Sequence, residues 1–368
     1  MNVAVQAVPR TSSAAAPPAR LALLGTGNVG GEVLARLEQL GRVPGGGWSL
    51  VHVRNSRACI SDRAGLRPTD AGERVRGQAI AAGALPEVPE ALGHDGLRII
   101  IDATASDAIA ARHAEWLAAG IHVVTACKLG QGTSLARWRS IRAAADRGGA
   151  VYGDAATVGA GLPLIRSIRE LVAGGDRILG VAGVLSGSLA WLFNHYDGLR
   201  PFSGFVRQAR HAGYTEPDPR EDLSGEDVRR KILILARSAG HELEEHDVRV
   251  ESLVPQALAQ RAPAEVDASL AMLDGDMRAR FADARKSGCS LRFVARLDQG
   301  CARVGLEALA ADDPLAAGAG TDNRLAIESD RYRGQPLVIQ GPGAGAAVTA
   351  AALVDDMLRI IRGPASHH

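Results

Sequence analysis

The chain has 368 residues, 46% apolar and 23% charged, with a formal net charge of +1 at pH 7. That balance gives no electrostatic reason to expect nucleic acid or an anionic membrane surface as partner, and no apolar run reaches the roughly 18 residues a membrane span needs. What remains is a folded, cytoplasmic type of chain with a sizeable core and small-molecule ligands, long enough for two domains of roughly 100 to 200 residues.

Residues 1–19 carry arginine and serine but no acid, are rich in alanine and proline, and lack an amphipathic pattern. A disordered leader is expected there rather than a transit peptide. Next comes a short apolar run, Leu21 to Leu24, then Gly25-x-Gly27-x-x-Gly30, then a helical rhythm through Val33, Leu34, Leu37 and Leu40. Strand, glycine turn and helix stand in the order of a dinucleotide fingerprint. Gly25 allows the tight turn, Gly27 lets the backbone approach a pyrophosphate, and Gly30 lets helix and strand pack closely. Asn28 and Val29 lie inside the same turn, where a helix N-terminus offers free N–H groups to phosphates.

The following strand, in WSLVHVRNSRA, ends near Val53. Where an NAD enzyme carries an acid for the ribose diol, this chain has Arg54, Asn55, Ser56 and Arg57. Two guanidiniums with two small polar groups suit a 2′-phosphate, so NADP(H) is preferred, with NAD(H) as the second cofactor. LRIIIDATASDAIAARHAEWLAAG and IHVVTACKLG read as two more buried strands, which bring Thr104, Ser106, Thr125 and Lys128 to the carboxyl edge of the sheet. Trp138 to Asp154 adds a helix and a strand at Ala150 to Tyr152.

This half is α/β, a Rossmann-type doubly wound parallel sheet. From residue 156 the regular strand–helix repeat lapses: strands are expected at Leu291 to Leu297, Ala302 to Leu306 and Pro336 to Ile339, an α+β substrate and dimerisation domain over 156–339. The glycine loop and apolar helix of QGPGAGAAVTAAALVDDMLRII then return to the first domain, which comprises 20–155 plus 340–364.

Side-chain inventory narrows the chemistry. Cys59, Cys127, Cys289 and Cys301 are far apart, and neither they nor the histidines show metal-ligand spacing, so reduced thiols are expected. Of 42 basic residues only Lys128, Lys231 and Lys286 are lysine, and an amine retained against that bias hints at a need for a movable pKa. GYTEPDPREDLSGEDVRRK, residues 213–231, concentrates acids beside Lys231. Pro217 and Pro219 stiffen its turn, Ser224 and Asp227 suggest a capping box, and Asp227 and Lys231 fall on one helical face at i and i+4. By spacing alone, a surface ion pair explains these residues better than a site does.

GTGNVG, HVVTACK, TVGAGLPLI, GVLSGSL, GYTEPDPREDLSGEDVRRK and GAGAAVTA occur together, in order, over about residues 20 to 362. In this the chain resembles the homoserine dehydrogenase family, especially the dehydrogenase portion of bifunctional aspartokinase/homoserine dehydrogenases. It looks like a stand-alone version, without the kinase or a regulatory domain. The resemblance implies NAD(P)H-linked interconversion of L-aspartate 4-semialdehyde and L-homoserine, in threonine and methionine biosynthesis, by a homodimer. It also implies Lys231 as acid/base, Lys128 at the nicotinamide edge, Asp222 and Asp227 as orienting carboxylates, and Glu216 on the substrate ammonium.

By the same resemblance Gly345 approaches the cofactor, and Gly183 and Ser186, with Gly187 and Ser188, lie in a turn near substrate, where small residues serve tight packing equally well. Glu221 and Glu226 are left as exposed charges, Asp218 as part of the turn and Lys286 as surface. Two departures stand out: Cys127 replaces an asparagine of many relatives, and Ala155 stands where some relatives place an acid for a monovalent cation. Backbone carbonyls of Val158, Ala160 and Leu162 remain as a Na⁺ or K⁺ site. A dehydrogenase for another small aldehyde or amino acid, or a non-catalytic dinucleotide sensor, are the alternative readings.

Overall fold

The computed structural model describes residues 17–41, 47–78 and 87–363. Positions 1–16 of the expected leader lie outside the described residues, and Ala19 already opens a strand. The first sheet contains β1 (Ala19–Leu24), β2 (Trp48–Arg54), β3 (Cys59–Ser61), β4 (Arg98–Asp102), β5 (His122–Thr125) and β6 (Tyr152–Gly153), in the order β3-β2-β1-β4-β5-β6. β6 begins at Tyr152 rather than at Ala150. Its central strands are unbroken apolar runs because helices cover both faces, and strands β2, β1, β4, β5 and β6 pair in parallel.

Strand β3 departs from the all-parallel expectation, since it pairs antiparallel with β2. The link from Asn55 to Ala58 is too short for a crossover, so the chain can only double back. Chain order reverses between β1 and β4, which is where ligands of open α/β sheets bind.

The second sheet contains β7 (Ile178–Val184), β8 (Val248–Val250), β9 (Ser290–Asp298), β10 (Cys301–Leu309), β11 (Asp322–Ser329) and β12 (Leu337–Pro342), ordered β12-β11-β7-β9-β10-β8. Its pairs are antiparallel apart from β8 with β10. β12 carries this sheet through Pro342, past the expected return at residue 340. The Ala346–Arg362 helix then packs Leu353, Val354 and Met357 against Leu21, Leu23, Val33 and Ile99 of the first sheet and its opening helix. The two halves therefore share one chain-terminal helix.

The Glu226–Ser238 helix sets the site. Val228, Ile232, Leu233 and Leu235 bury into the core of the second sheet. Its other side lies so close to the turn after β5 that a Cβ on Gly132 would meet the Arg230 backbone oxygen at 3.2 Å. The expected capping box does not form. Gly225 is the N-cap residue with φ 76°, where a side chain would strike Phe293, so Ser224 sits one residue too early. Its hydroxyl instead donates to the Glu221 carbonyl and accepts from the Glu226 N–H.

Candidate active site

A cavity of about 610 Å³ opens over the glycine turn, lined by Gly25, Gly27, Arg54, Asn55, Ser56, Arg57, Thr104 and Ser106, among others. The three glycines divide their work as the fingerprint requires. Gly25 has φ 94°, a Cβ on Gly30 would fall 1.9 Å from the Gly25 carbonyl oxygen, and Gly27 faces open space. Asn28 opens the Asn28–Leu40 helix, exposed at its N-terminus. Val29 faces the neighbouring cavity.

Among the described residues no carboxylate lines the nucleotide cavity, and Arg76, from the Pro68–Gly77 helix, joins Arg54 and Arg57 there. Asn55, besides lining the cavity, closes the turn that presents Ser56 and Arg57: its Oδ1 accepts from the N–H groups of Arg57 and Ala58. Ser106 caps the short helix Asp107–Ala110.

Ala103 and Thr104 line this cavity and also a second one, of about 760 Å³, which holds Lys128, Ser186, Glu216, Asp222, Asp227, Lys231 and Gly345. Gly345 has φ 122° and begins the C-terminal helix at its wall. Asp227 lies between the two lysines, 2.6 Å from Lys231 Nζ and 3.4 Å from Lys128 Nζ. Lys231 also donates to the Leu185 carbonyl at 2.7 Å. An ammonium has three N–H bonds, so two are committed and one is left for the cavity.

The electrostatics follow from sharing. Burial pushes the Asp227 carboxyl up, but two ammoniums outweigh it and hold the group well below the usual carboxylate range. Its side chain keeps 46% of its surface open, because it faces the cavity rather than the core. Burial lowers Lys231 below an ordinary lysine, Asp227 opposes this, and Lys128 adds to the lowering. A dedicated ion pair raises a lysine; here the carboxylate is shared and the side chain is buried, so Lys231 goes down.

The acidic stretch divides differently from its sequence reading. Asp222 accepts from Ser188 Oγ at 2.6 Å and from the Glu216 N–H at 2.8 Å, which ties the loop to the Ser186–Ser188 turn. Burial raises its carboxyl, the two donors opposing that. Asp218 pairs with Arg220 in the turn and Lys286 with Asp283 on the surface. Glu221 is exposed as expected and Glu226 is half-buried, held by Arg229 at 2.8 Å, and both also line the cavity. Gly183 lies within β7, not in the turn, and is absent from the cavity wall. A Cβ there would meet Leu185 and Leu325 at 2.9 Å, so packing accounts for it.

Sequence reasoning missed two supports. Asn323, buried on β11, donates to the same Leu185 carbonyl that Lys231 uses. Asp102, at the end of β4, accepts from Thr104 N–H and Oγ1, from Thr125 Oγ1 and from His113 Nε2. Thr125 Oγ1 in turn accepts from the N–H of Cys127, the residue before Lys128. Cys127 itself is buried beside Asp102, and burial with that charge pushes its thiol up to about 11, which leaves it a protonated packing group.

A doubly wound nucleotide-binding sheet that opens at its carboxyl edge onto a lysine–carboxylate–lysine cluster defines a nicotinamide-dinucleotide-dependent oxidoreductase. Residues 25–152 match the model of the homoserine dehydrogenase NAD binding domain and residues 163–358 that of homoserine dehydrogenase. The chain belongs to the homoserine dehydrogenase family.

It is 41% identical to bifunctional aspartokinase/homoserine dehydrogenase 2 of Escherichia coli over 92% of its length, but spans only 43% of that protein. It is 37% identical to the homoserine dehydrogenase of Emericella nidulans, over 94% of this chain and 98% of that one. The fold also matches a hyperthermophilic archaeal homoserine dehydrogenase solved with NADPH, at TM-score 0.71 and 20% identity, covering 94% of this chain and 98% of that one.

Proposed function

We propose that the chain catalyses the NADP(H)-preferring interconversion of L-aspartate 4-semialdehyde and L-homoserine. The observation that carries this reading is the third, uncommitted N–H of Lys231, in a cavity that shares Ala103 and Thr104 with the nucleotide site. The open face at Gly27 and the acid-free wall at Arg54, Arg57 and Arg76 fit a phosphorylated dinucleotide. Bound there, a reduced nicotinamide supplies the hydride. Lys231 donates a proton to the aldehyde oxygen as charge develops on it, and takes the proton back in homoserine oxidation. Asp227 holds that ammonium in place, and Asp227 with Lys128 remains as a neutral ion pair once its proton has gone. Glu216, fixed through its N–H to Asp222, receives the substrate ammonium.

The backbone of Val158, Ala160 and Leu162 is kept as a Na⁺ or K⁺ site. Ala160 lines the cavity and follows Gly159 in left-handed conformation, φ 50° and 76°, while Leu162 already accepts from the Leu164 N–H. No helix among the described residues is long and apolar enough to cross a membrane. A cytoplasmic homodimer serving threonine and methionine synthesis completes the proposal.

The test is turnover of homoserine with each cofactor, since a folded protein that reduces neither NADP⁺ nor NAD⁺ on homoserine would sink the reading. Replacing Arg54 and Arg57 by alanine is expected to raise KM for NADP⁺ about 30-fold or more and to leave NAD⁺ nearly unchanged, the scale of losing charge-assisted phosphate contacts. An equal effect on both cofactors would contradict the 2′-phosphate assignment.

A further inference from the structure

We propose that Arg230 receives the α-carboxylate of the amino acid substrate, an assignment that rests on the homoserine reading above. Among the described residues, three cations line the substrate cavity: Lys128, Lys231 and Arg230. Both lysines are bound to Asp227. The Arg230 side chain has no hydrogen bond or ion pair with any described residue, and its Nε is buried without a partner. The two acids at helical spacing are already taken, Asp227 at i−3 by the two lysines and Glu226 at i−4 by Arg229. A buried donor left unpaired in a native site calls for an acceptor, and a ligand entering the cavity that Arg230 lines brings one.

The ligand's chemistry follows from the donor. A guanidinium presents a planar fork that matches a carboxylate with two parallel hydrogen bonds, which an ammonium does not. Arg230 and Lys231 are consecutive on one packed helix, whose backbone is held against Gly132. One rigid element therefore grips the carboxylate with one side chain and the reacting oxygen with the next, while Glu216 on the opposite loop holds the ammonium. This arrangement selects an α-amino acid over a simple aldehyde.

The experiment compares oxidation of L-homoserine with that of 3-aminopropan-1-ol, the same molecule without its carboxylate, in the wild type, Arg230→Gln and Arg230→Lys. Arg230→Gln is expected to raise KM for homoserine about 30- to 100-fold with kcat and KM for NADP⁺ nearly unchanged, the loss of a charge-assisted pair. It should leave kcat/KM for 3-aminopropan-1-ol unchanged, and Arg230→Lys should recover part of the loss. An equal loss on both substrates, an unchanged KM for homoserine, or a rise confined to NADP⁺ would overturn the assignment, the last by moving Arg230 to the cofactor. If Arg230→Gln fails to bind NADP⁺ because it does not fold, Arg230→Lys decides through the same KM-against-kcat split. Wild-type turnover of homoserine, measured in the same series, separates failure of the homoserine reading from failure of Arg230.

Discussion

Replacing Lys231 with methionine is expected to lower kcat about 10³-fold in both directions while NADP(H) binding stays within about twofold. Methionine fills the stem's volume but offers no proton to the aldehyde oxygen and no N–H to the Leu185 carbonyl. The nucleotide cavity does not include Lys231, so titration of cofactor fluorescence should look normal. Unchanged kcat would remove the residue from the acid/base role. The pH profile adds a second reading with a definite sign. Lys231 is lowered by burial, so aldehyde reduction, which needs the ammonium, should decline along an alkaline limb centred below 10.5. Homoserine oxidation needs the free amine and should rise along that same limb. Asp227 raises Lys231, so Asp227→Asn should move the limb to still lower pH. A limb that moved upward would mean that another group titrates.

Local features of the chain were legible because their physics is local. The strand–glycine–helix passage at Leu21 to Leu40 could be read because three glycines at fixed spacing have separate steric duties, each met in the fold. The pairing of Asp227 with Lys231 follows from the helical repeat alone. What made that pair part of a site was not spacing but the approach of Lys128 from the first sheet, which the family resemblance implied and the packing of Gly132 against the Glu226–Ser238 helix realises.

Other parts were hidden for the same reason in reverse. The capping box failed because Phe293, far along the chain, closes the space above Gly225. Arg76 reaches the nucleotide cavity from a helix that begins well beyond the glycine turn, and Asn323 reaches the Leu185 carbonyl from a strand of the other half. Gly183 looked like a site residue because glycine marks both close ligand approach and close packing, and only the neighbouring leucines distinguish the two.

Asp102 is the support whose loss should cost most. Its carboxylate is fully buried, and its two oxygens take four donors: Thr104 N–H and Oγ1 on one, Thr125 Oγ1 and His113 Nε2 on the other. With Nε2 donating, His113 Nδ1 is left facing the Tyr152 hydroxyl at 2.9 Å, and burial first of all keeps that phenol protonated. Asp102→Asn keeps one acceptor oxygen and turns the other into a donor; the Thr104 N–H cannot reverse, so the amide must face Thr125 Oγ1 and His113 Nε2, whose charged acceptor is lost. Leaving such groups unpaired in a fully buried site is expected to cost about 3 kcal/mol, read as a lower denaturation midpoint at unchanged m. Thr104 lines both cavities and Thr125 holds the turn into Lys128, so kcat should also fall, by about tenfold or more, beyond what residual instability explains. Thr125→Val removes one of those donors and keeps the shape, and should reproduce the kcat loss with a smaller stability cost, while Thr125→Ser restores it. A Thr125→Val protein with lowered stability and full kcat would confine Asp102 to holding the sheet edge, with no share in placing Lys128.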